Sequence, residues 1–303
     1  MDGELDRQVE RAQATLLERC APEAKVRRVR WSRGEIQVLE LGAGPPLLLV
    51  HGAMGMTLAW APILEQLARH RHVVAVDLPG HGLADPFDYS HEDLLQVARA
   101  FLSEVLDALP QSRTDVMAHS VGGLFSVAFA LAEPQRVNRL VLVGAPAGVR
   151  RPGVPLQLRL FTIPVAGAWL ARRLMSNPTQ QSARKLWAQI LVAHPERVDD
   201  AMLIADVATQ RRDLSSYLSI LHPLSDIGGI RRDLILGGRW GSLETPVLLL
   251  WGARDAFAPP EWGEDLAARN ANIRFVGIPD AGHLPWIDDP ERVVSEAESF
   301  LAA

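Results

Sequence analysis

The 303-residue chain holds a single cysteine, Cys20. An internal disulfide framework and any cysteine-based zinc site are therefore excluded, and a reducing, cytoplasmic setting is expected. No apolar run approaches the roughly 18 residues of a membrane-spanning helix. The N-terminus, Met1-Asp-Gly-Glu-Leu-Asp6, is acidic and polar, unlike a secretion signal. Positive charge is not in excess: 31 Lys and Arg face 36 Asp and Glu, a formal net charge of -5, which disfavours non-specific nucleic-acid binding. Repeats and low-complexity tracts are absent. What remains, 48% hydrophobic residues and a mean hydropathy of +0.05, describes a globular chain large enough for one α/β domain with an insertion.

Residues 4–19 carry Leu5, Val9, Ala12 and Leu16 at helical spacing, which predicts an extra amphipathic helix on the surface, within residues 1–22. Lys25–Trp31 and Glu35–Leu41 alternate like the arms of an antiparallel hairpin joined near Ser32-Arg33-Gly34. From Pro46 to Val143 strand and helix patterns alternate, the signature of a doubly wound parallel sheet. The alternation breaks over residues 150–242 and resumes at Pro246. Amphipathic stretches at Leu156–Met175, Thr179–Ala193, Glu196–Gln210 and Leu214–Leu221 predict a helical cap inserted into a core made of residues 1–149 and 243–303.

One segment carries the chemistry. Asp115–Met117 ends a buried strand, Leu124–Ala132 reads as an apolar helix, and Ala118-His119-Ser120-Val121-Gly122 joins them. A serine on such a turn is forced into a sparsely populated backbone conformation that lifts Oγ above the sheet. It also sits at a helix N-terminus, where unpaired amides stabilise an oxyanion. Ala118 stands where the usual G-x-S-x-G pattern has its first glycine; Gly122 keeps the second. A serine of this kind needs an acid and then a histidine later in the chain. Asp255 follows the apolar strand Pro246–Gly252, and His283 follows the strand-like run Asn272–Ile278. Both therefore lie beyond strand C-terminal ends, where open α/β sheets bind ligands. The loop His51-Gly-Ala-Met-Gly55, after the strand Pro46–Val50, offers an amide from Ala53 or Met54 opposite that of Val121. His51, His81 and His119 read as structural loop histidines, and Asp77 as a loop-fixing carboxylate.

Taken in order, His51-Gly52, Asp77-Leu-Pro-Gly-His-Gly82, Ala118-His-Ser-Val-Gly122, Gly252-Ala-Arg-Asp255 and Gly282-His283 give a chain that resembles the α/β-hydrolase family. The resemblance implies an eight-stranded, mostly parallel sheet flanked by helices, a Ser120–His283–Asp255 triad, and neither metal nor cofactor. It does not choose a substrate. The expected reaction is acyl transfer to water from a small, largely apolar ester or lactone, with a thioester as a further option. Related dehalogenases and epoxide hydrolases carry aspartate at the elbow, where this chain has Ser120. Carbon–carbon hydrolases of ring-cleavage products, acyltransferases and cofactor-free peroxidases share the triad and stay open as alternatives. So does a slow-turnover ligand receptor.

The cap is charged differently from the core. Residues 150–242 hold 13 basic and 7 acidic residues, a net +6 that leaves -11 for the remainder. Solvated arginines facing an acidic core explain this better than an anionic substrate, because adjacent pairs such as Arg172-Arg173 cannot both face one pocket. Of the cap aromatics, Phe161 included, Trp169, Trp187, Tyr217 and Trp240 are the candidates for lining the pocket with Met54, Trp60 and Val121. A small molecule is the expected partner.

Overall fold

A computed structural model of the chain describes residues 2–109, 112–163 and 166–303. Its centre is an eight-stranded sheet: β1 (Lys25–Trp31), β2 (Gly34–Leu41), β3 (Pro46–Val50), β4 (His72–Val76), β5 (Thr114–His119), β6 (Val137–Val143), β7 (Val247–Gly252) and β8 (Ile273–Ile278). The order across the sheet is β1-β2-β4-β3-β5-β6-β7-β8. Only the β1–β2 and β2–β4 pairs are antiparallel. The hairpin turn is Ser32-Arg33, with Trp31 facing Gly34.

Strands such as Pro46-Leu-Leu-Leu-Val50 and Val247-Leu-Leu-Leu-Trp-Gly252 are apolar on both faces because both faces are covered. Period-two alternation divides their side chains. Leu48, Val50, Val116, Leu140, Leu142 and Leu249 pack with α3 (Leu94–Asp107) and α4 (Ser120–Ala132). Leu47, Leu49, Met117, Val141, Leu248 and Leu250 pack with α2 (Ala61–Ala68) on the other side. Asp93 starts α3 by accepting the amides of Leu95 and Gln96.

The N-terminal helix α1 (Asp2–Cys20) buries Val9, Ala12, Leu16 and Leu17. It packs against α2 and also against a helix of the inserted segment. That segment, between β6 and β7, is helical: α5 (Leu156–Arg159), α6 (Ala166–Met175), α7 (Gln180–Ile190), α8 (Asp200–Arg212), α9 (Leu214–Ser219) and α10 (Leu221–Leu224). Residues 156–175 fall into separate pieces rather than the single stretch that periodicity suggests. A 3-10 turn at Leu160–Thr162 follows α5, and the sequence then brings Pro164, which has no amide to continue a helix. A two-residue ladder pairs Ser225-Asp226 with Gly229-Ile230. After β7 come α11 (Glu261–Ala268), α12 (Pro285–Asp288) and α13 (Pro290–Leu301); α13 packs on α2. Among the described residues no helix is long and apolar enough to cross a membrane.

Several arginines of the insertion are held by partners. Arg212 meets Asp6 of α1 and the carbonyls of Gly82 and Ala84. Arg150 meets Asp265 of α11, and Arg184 meets Asp200.

Candidate active site

β5 ends at His119, extended at φ -114°, and α4 begins at Ser120 with φ +52°. A non-glycine residue in the left-handed region is uncommon and strained, so the surrounding packing must hold it there. That packing is tight. A Cβ on Gly122 would stand 2.4 Å from the His51 carbonyl oxygen, and one on Gly52 would stand 2.9 Å from the Ser120 Cβ. Glycine is required at both places because the backbones of α4 and the β3 loop meet there. Ala118 sits earlier, fully buried within β5, where a methyl group fits.

The β3 loop closes as a turn, with Gly55 N donating to Gly52 O at 3.2 Å. Ala53 and Met54 occupy its two central positions, Met54 with φ +60°, so their amides are not used in closing it.

Asp255 and His283 come together from the ends of β7 and β8. His283 Nδ1 lies 2.8 Å from Asp255 Oδ2, with the imidazole 1% exposed and the carboxylate fully buried. Asp255 is itself held: Oδ2 accepts from Ala145 N at 2.9 Å, and Oδ1 from Phe257 N at 2.8 Å. With both carboxylate oxygens committed, Nδ1 of His283 is the donor and Nε2 the free base. Nε2 is buried with no hydrogen-bond partner among the described residues. Phe257 lies flat on the imidazole, 3.9 Å between ring centres and 19° between planes. Ser120 and His283 line the same cavity.

The other loop histidines are bound on the inside. His51 Nδ1 donates to Gly52 O at 2.7 Å, and its Nε2 accepts from Leu78 N at 2.9 Å. His119 Nε2 lies 3.1 Å from the His283 carbonyl, to which it donates, and its ring meets that of His283 edge-on at 4.5 Å. Asp77 accepts from Thr57 N at 2.7 Å and Leu83 N at 2.9 Å, joining two loops.

Burial disfavours charge on all of these groups. It pushes His51 down to about 3 and His81 to about 4, and with the nearby His283 second it holds His119 well below 6.5. It pushes Asp77 up to about 6. The consequences for stability oppose one another. The histidines stabilise the fold fully above their unfolded value of 6.5, and that contribution is lost as pH falls toward 4 and 3. Asp77 stabilises fully below about 4, and its contribution is lost as pH rises through 6. Each tenfold displacement of a titration is worth about 1.4 kcal/mol, and His51 and His81 are displaced further than Asp77. We expect the urea midpoint to fall steadily from pH 6.5 to 4, and His81→Asn to flatten the fall. A midpoint that rises on acidification would show that the raised carboxyls, Asp77, Asp115 and Asp206, dominate.

The cavity wall is mostly apolar. Met54, Trp187 and Tyr217 line it, as do Ala53 and Val121. Trp60, Trp169 and Trp240 do not, contrary to expectation. Trp60 is fully buried and stacks on Trp286 at 4.3 Å, so Trp286 takes the place at the wall. Trp169 is 66% exposed on the outer side of α6, and Trp240 is buried in the core below. Sequence reasoning missed Phe257, Leu186, Ile190, Met202 and Asp206 in the lining. The i, i+4 pair Leu186–Ile190 on α7 carried a signal, but it read equally well as cap core.

Asp288 was also missed. Its carboxylate accepts from Gly282 N at 2.7 Å, next to His283, and from Ala193 N and His194 N just after α7. Leu284 N donates to Leu191 O at 2.8 Å. The histidine loop is thus bonded directly to the inserted segment.

Residues 45–290 match the family described as the alpha/beta hydrolase fold. A 2-hydroxy-6-oxo-2,4-heptadienoate hydrolase of Pseudomonas putida is 40% identical over 213 residues, 63% of this chain and 76% of that one. A pimeloyl-[acyl-carrier protein] methyl ester esterase of Nitrosomonas europaea is 28% identical, over 86% of this chain and 97% of its own. The crystal structure of the carboxylesterase CesB from Bacillus subtilis superposes with a TM-score of 0.76 at 20% identity, covering 98% of both chains.

Proposed function

The chain belongs to the α/β-hydrolase family, and from that premise we propose that it is a serine hydrolase cleaving a small, largely apolar ester or lactone. The observation that carries the reading is the Asp255–His283 pair at 2.8 Å, opening into the cavity that Ser120 also lines from a strained turn. Ser120 Oγ attacks the carbonyl carbon while His283 Nε2 takes its proton. Asp255 fixes the tautomer and stabilises the imidazolium. The amides of Val121 and of Ala53 or Met54 receive the oxyanion, each donor worth about 2.7–4 kcal/mol of barrier. His283 then delivers the proton to the leaving alcohol, and water repeats the sequence on the acyl-enzyme.

A second reading, carbon–carbon hydrolysis of a diketone-type product, is favoured by the 40% identical relative. A dienoate is an anion, however, and no Lys or Arg stands among the described lining residues. A buried anion without a cation is costly, which supports the neutral ester or lactone. A panel of short-chain aryl esters, lactones and vinylogous diketones tests this directly. Ester or lactone turnover well above diketone cleavage is expected; the reverse order would give the chain to the second reading.

Residues 150–242 act in this reading as a cap that sets specificity without supplying chemistry. Trp187→Ala should change the kcat/KM ratio of two esters differing in acyl length by about tenfold, the scale of one methylene in an apolar pocket. Trp169→Ala should leave that ratio unchanged. Folding of the Trp187 variant is checked first, since losing a buried aromatic costs about 3–5 kcal/mol. Equal ratios in both variants would place the pocket's selectivity on core residues such as Met54 and Trp286.

A further inference from the structure

Among the described residues, the mostly apolar cavity has one acidic side chain in its wall. Asp206 of α8 is 3% exposed, lines the cavity beside Trp187 and Tyr217, and pairs with no Lys or Arg among the described residues. It is held by neutral donors alone. Oδ1 accepts from Gln210 Nε2 at 3.1 Å and from Tyr217 OH at 3.0 Å. Oδ2 accepts only from Trp187 Nε1, at 3.0 Å. A carboxylate offers about four acceptor positions, so one on Oδ2 is left over.

Tying α7, α8 and α9 together accounts for the three bonds made. They leave the second acceptor position of Oδ2 unused, in a wall that is otherwise mostly apolar.

We propose that Asp206 forms a polar subsite recognising a hydroxyl group carried by the substrate apart from its scissile carbonyl. This rests on the serine-hydrolase reading and narrows it to hydroxyacyl or hydroxyalkyl esters. The chemistry selects a hydroxyl over other groups. An ammonium fits only the ionised acid, and a carbonyl only the protonated one. A hydroxyl donates to the first and accepts from the second. Burial raises the Asp206 carboxyl above its ordinary range, so a partner that suits both forms suits this position best. Of the groups around it, Tyr217 stays neutral, its titration pushed well up by burial and then by Asp206, and the other titratable groups among the described residues of the wall are His51, His119 and His283. An anionic substrate group is disfavoured by the same carboxylate.

The test is a series of 4-nitrophenyl esters of straight-chain acids from four to eight carbons, each with an unsubstituted, an ω-hydroxy and an ω-amino member. In the wild type one ω-hydroxy ester should exceed its parent in kcat/KM by about ten- to hundredfold, the value of a hydrogen bond to a charged group. In Asp206→Leu that ratio should collapse to about one. If Asp206→Leu does not fold, Asp206→Asn reads the same ratio, which should be cut without being erased because an amide still pairs with a hydroxyl. Three results overturn the proposal: no ω-hydroxy member preferred over its parent, a preference unchanged by the Asp206 variants, or an ω-amino member preferred instead. Failure of the underlying reading looks different. It would show as no turnover of any ester, parents included, and no labelling of Ser120 by a fluorophosphonate.

Discussion

Ser120→Ala should abolish ester turnover, by more than about 10⁴-fold, and leave the fold intact. The size follows from the way a triad acts as a unit: in other serine hydrolases, loss of the nucleophile alone costs about as much as loss of all three members. Retention of the fold follows from the local structure. Ser120 is 9% exposed and held at φ +52° by contacts that do not involve its hydroxyl: its carbonyl accepts from Ala147 N at 3.1 Å, and its Cβ packs beside Gly52. Alanine keeps that Cβ and meets the same backbone strain. A larger residue would press on Gly52, so Ser120→Val is expected to destabilise as well as inactivate. A fluorophosphonate probe, located by peptide mass mapping, should label the wild type at Ser120 and the alanine variant nowhere. Undiminished turnover in Ser120→Ala, or labelling at another serine, would remove Ser120 as the nucleophile.

Much of this frame was legible before any coordinates. The strands that lead to Ser120, Asp255 and His283 read as short apolar-rich runs, the clearest being Val247–Gly252, which is buried throughout because both its faces are covered. Once those runs are placed, the residues just beyond them are known to share one edge of the sheet. The inserted segment was legible only as helices. Trp169 and Trp187 look alike in sequence, each an aromatic on an amphipathic helix, yet one faces outward and the other faces the cavity. Which face of a short helix meets the core depends on how the helices pack, and periodicity carries no information about that. Trp60 misled for a related reason. It stacks on Trp286, which lies 226 positions further along the chain, and the stack decides which indole reaches the wall. Asp206 and Asp288 escaped notice because a carboxylate in sequence looks solvated; only their buried donors reveal otherwise.

The acid of the proposed triad is where sequence and structure can be set against each other most sharply, because a second aspartate, Asp280, lies three residues before His283. The two sit in opposite surroundings. Asp255 is fully buried and bonded to His283 Nδ1 at 2.8 Å, and its two oxygens are oriented by the amides of Ala145 and Phe257. Asp280 is 63% exposed and engages Arg254 at 2.8 Å and His194 at 3.0 Å on the outer surface. Hydrogen bonds from Arg254 and then His194 hold its titration low, but at this exposure the contacts add little stability. Asp255→Asn places an amide at Nδ1. The variant amide can accept from Nδ1–H, at the position of Oδ2, only if its NH2 group takes the position of Oδ1, where it meets another donor, Phe257 N. The imidazole therefore takes the wrong tautomer or loses its orientation. In the best-studied serine triad that change costs about 10⁴ in kcat, and a loss of that order is expected here. Asp280→Asn should change kcat/KM by less than about threefold, since it disturbs only an exposed ion pair. Steady-state kinetics on one aryl ester, with both variants checked for folding, decides the matter. A crippled Asp280→Asn beside an active Asp255→Asn would reassign the acid, and with it the orientation of His283 on which the proposed proton transfer depends.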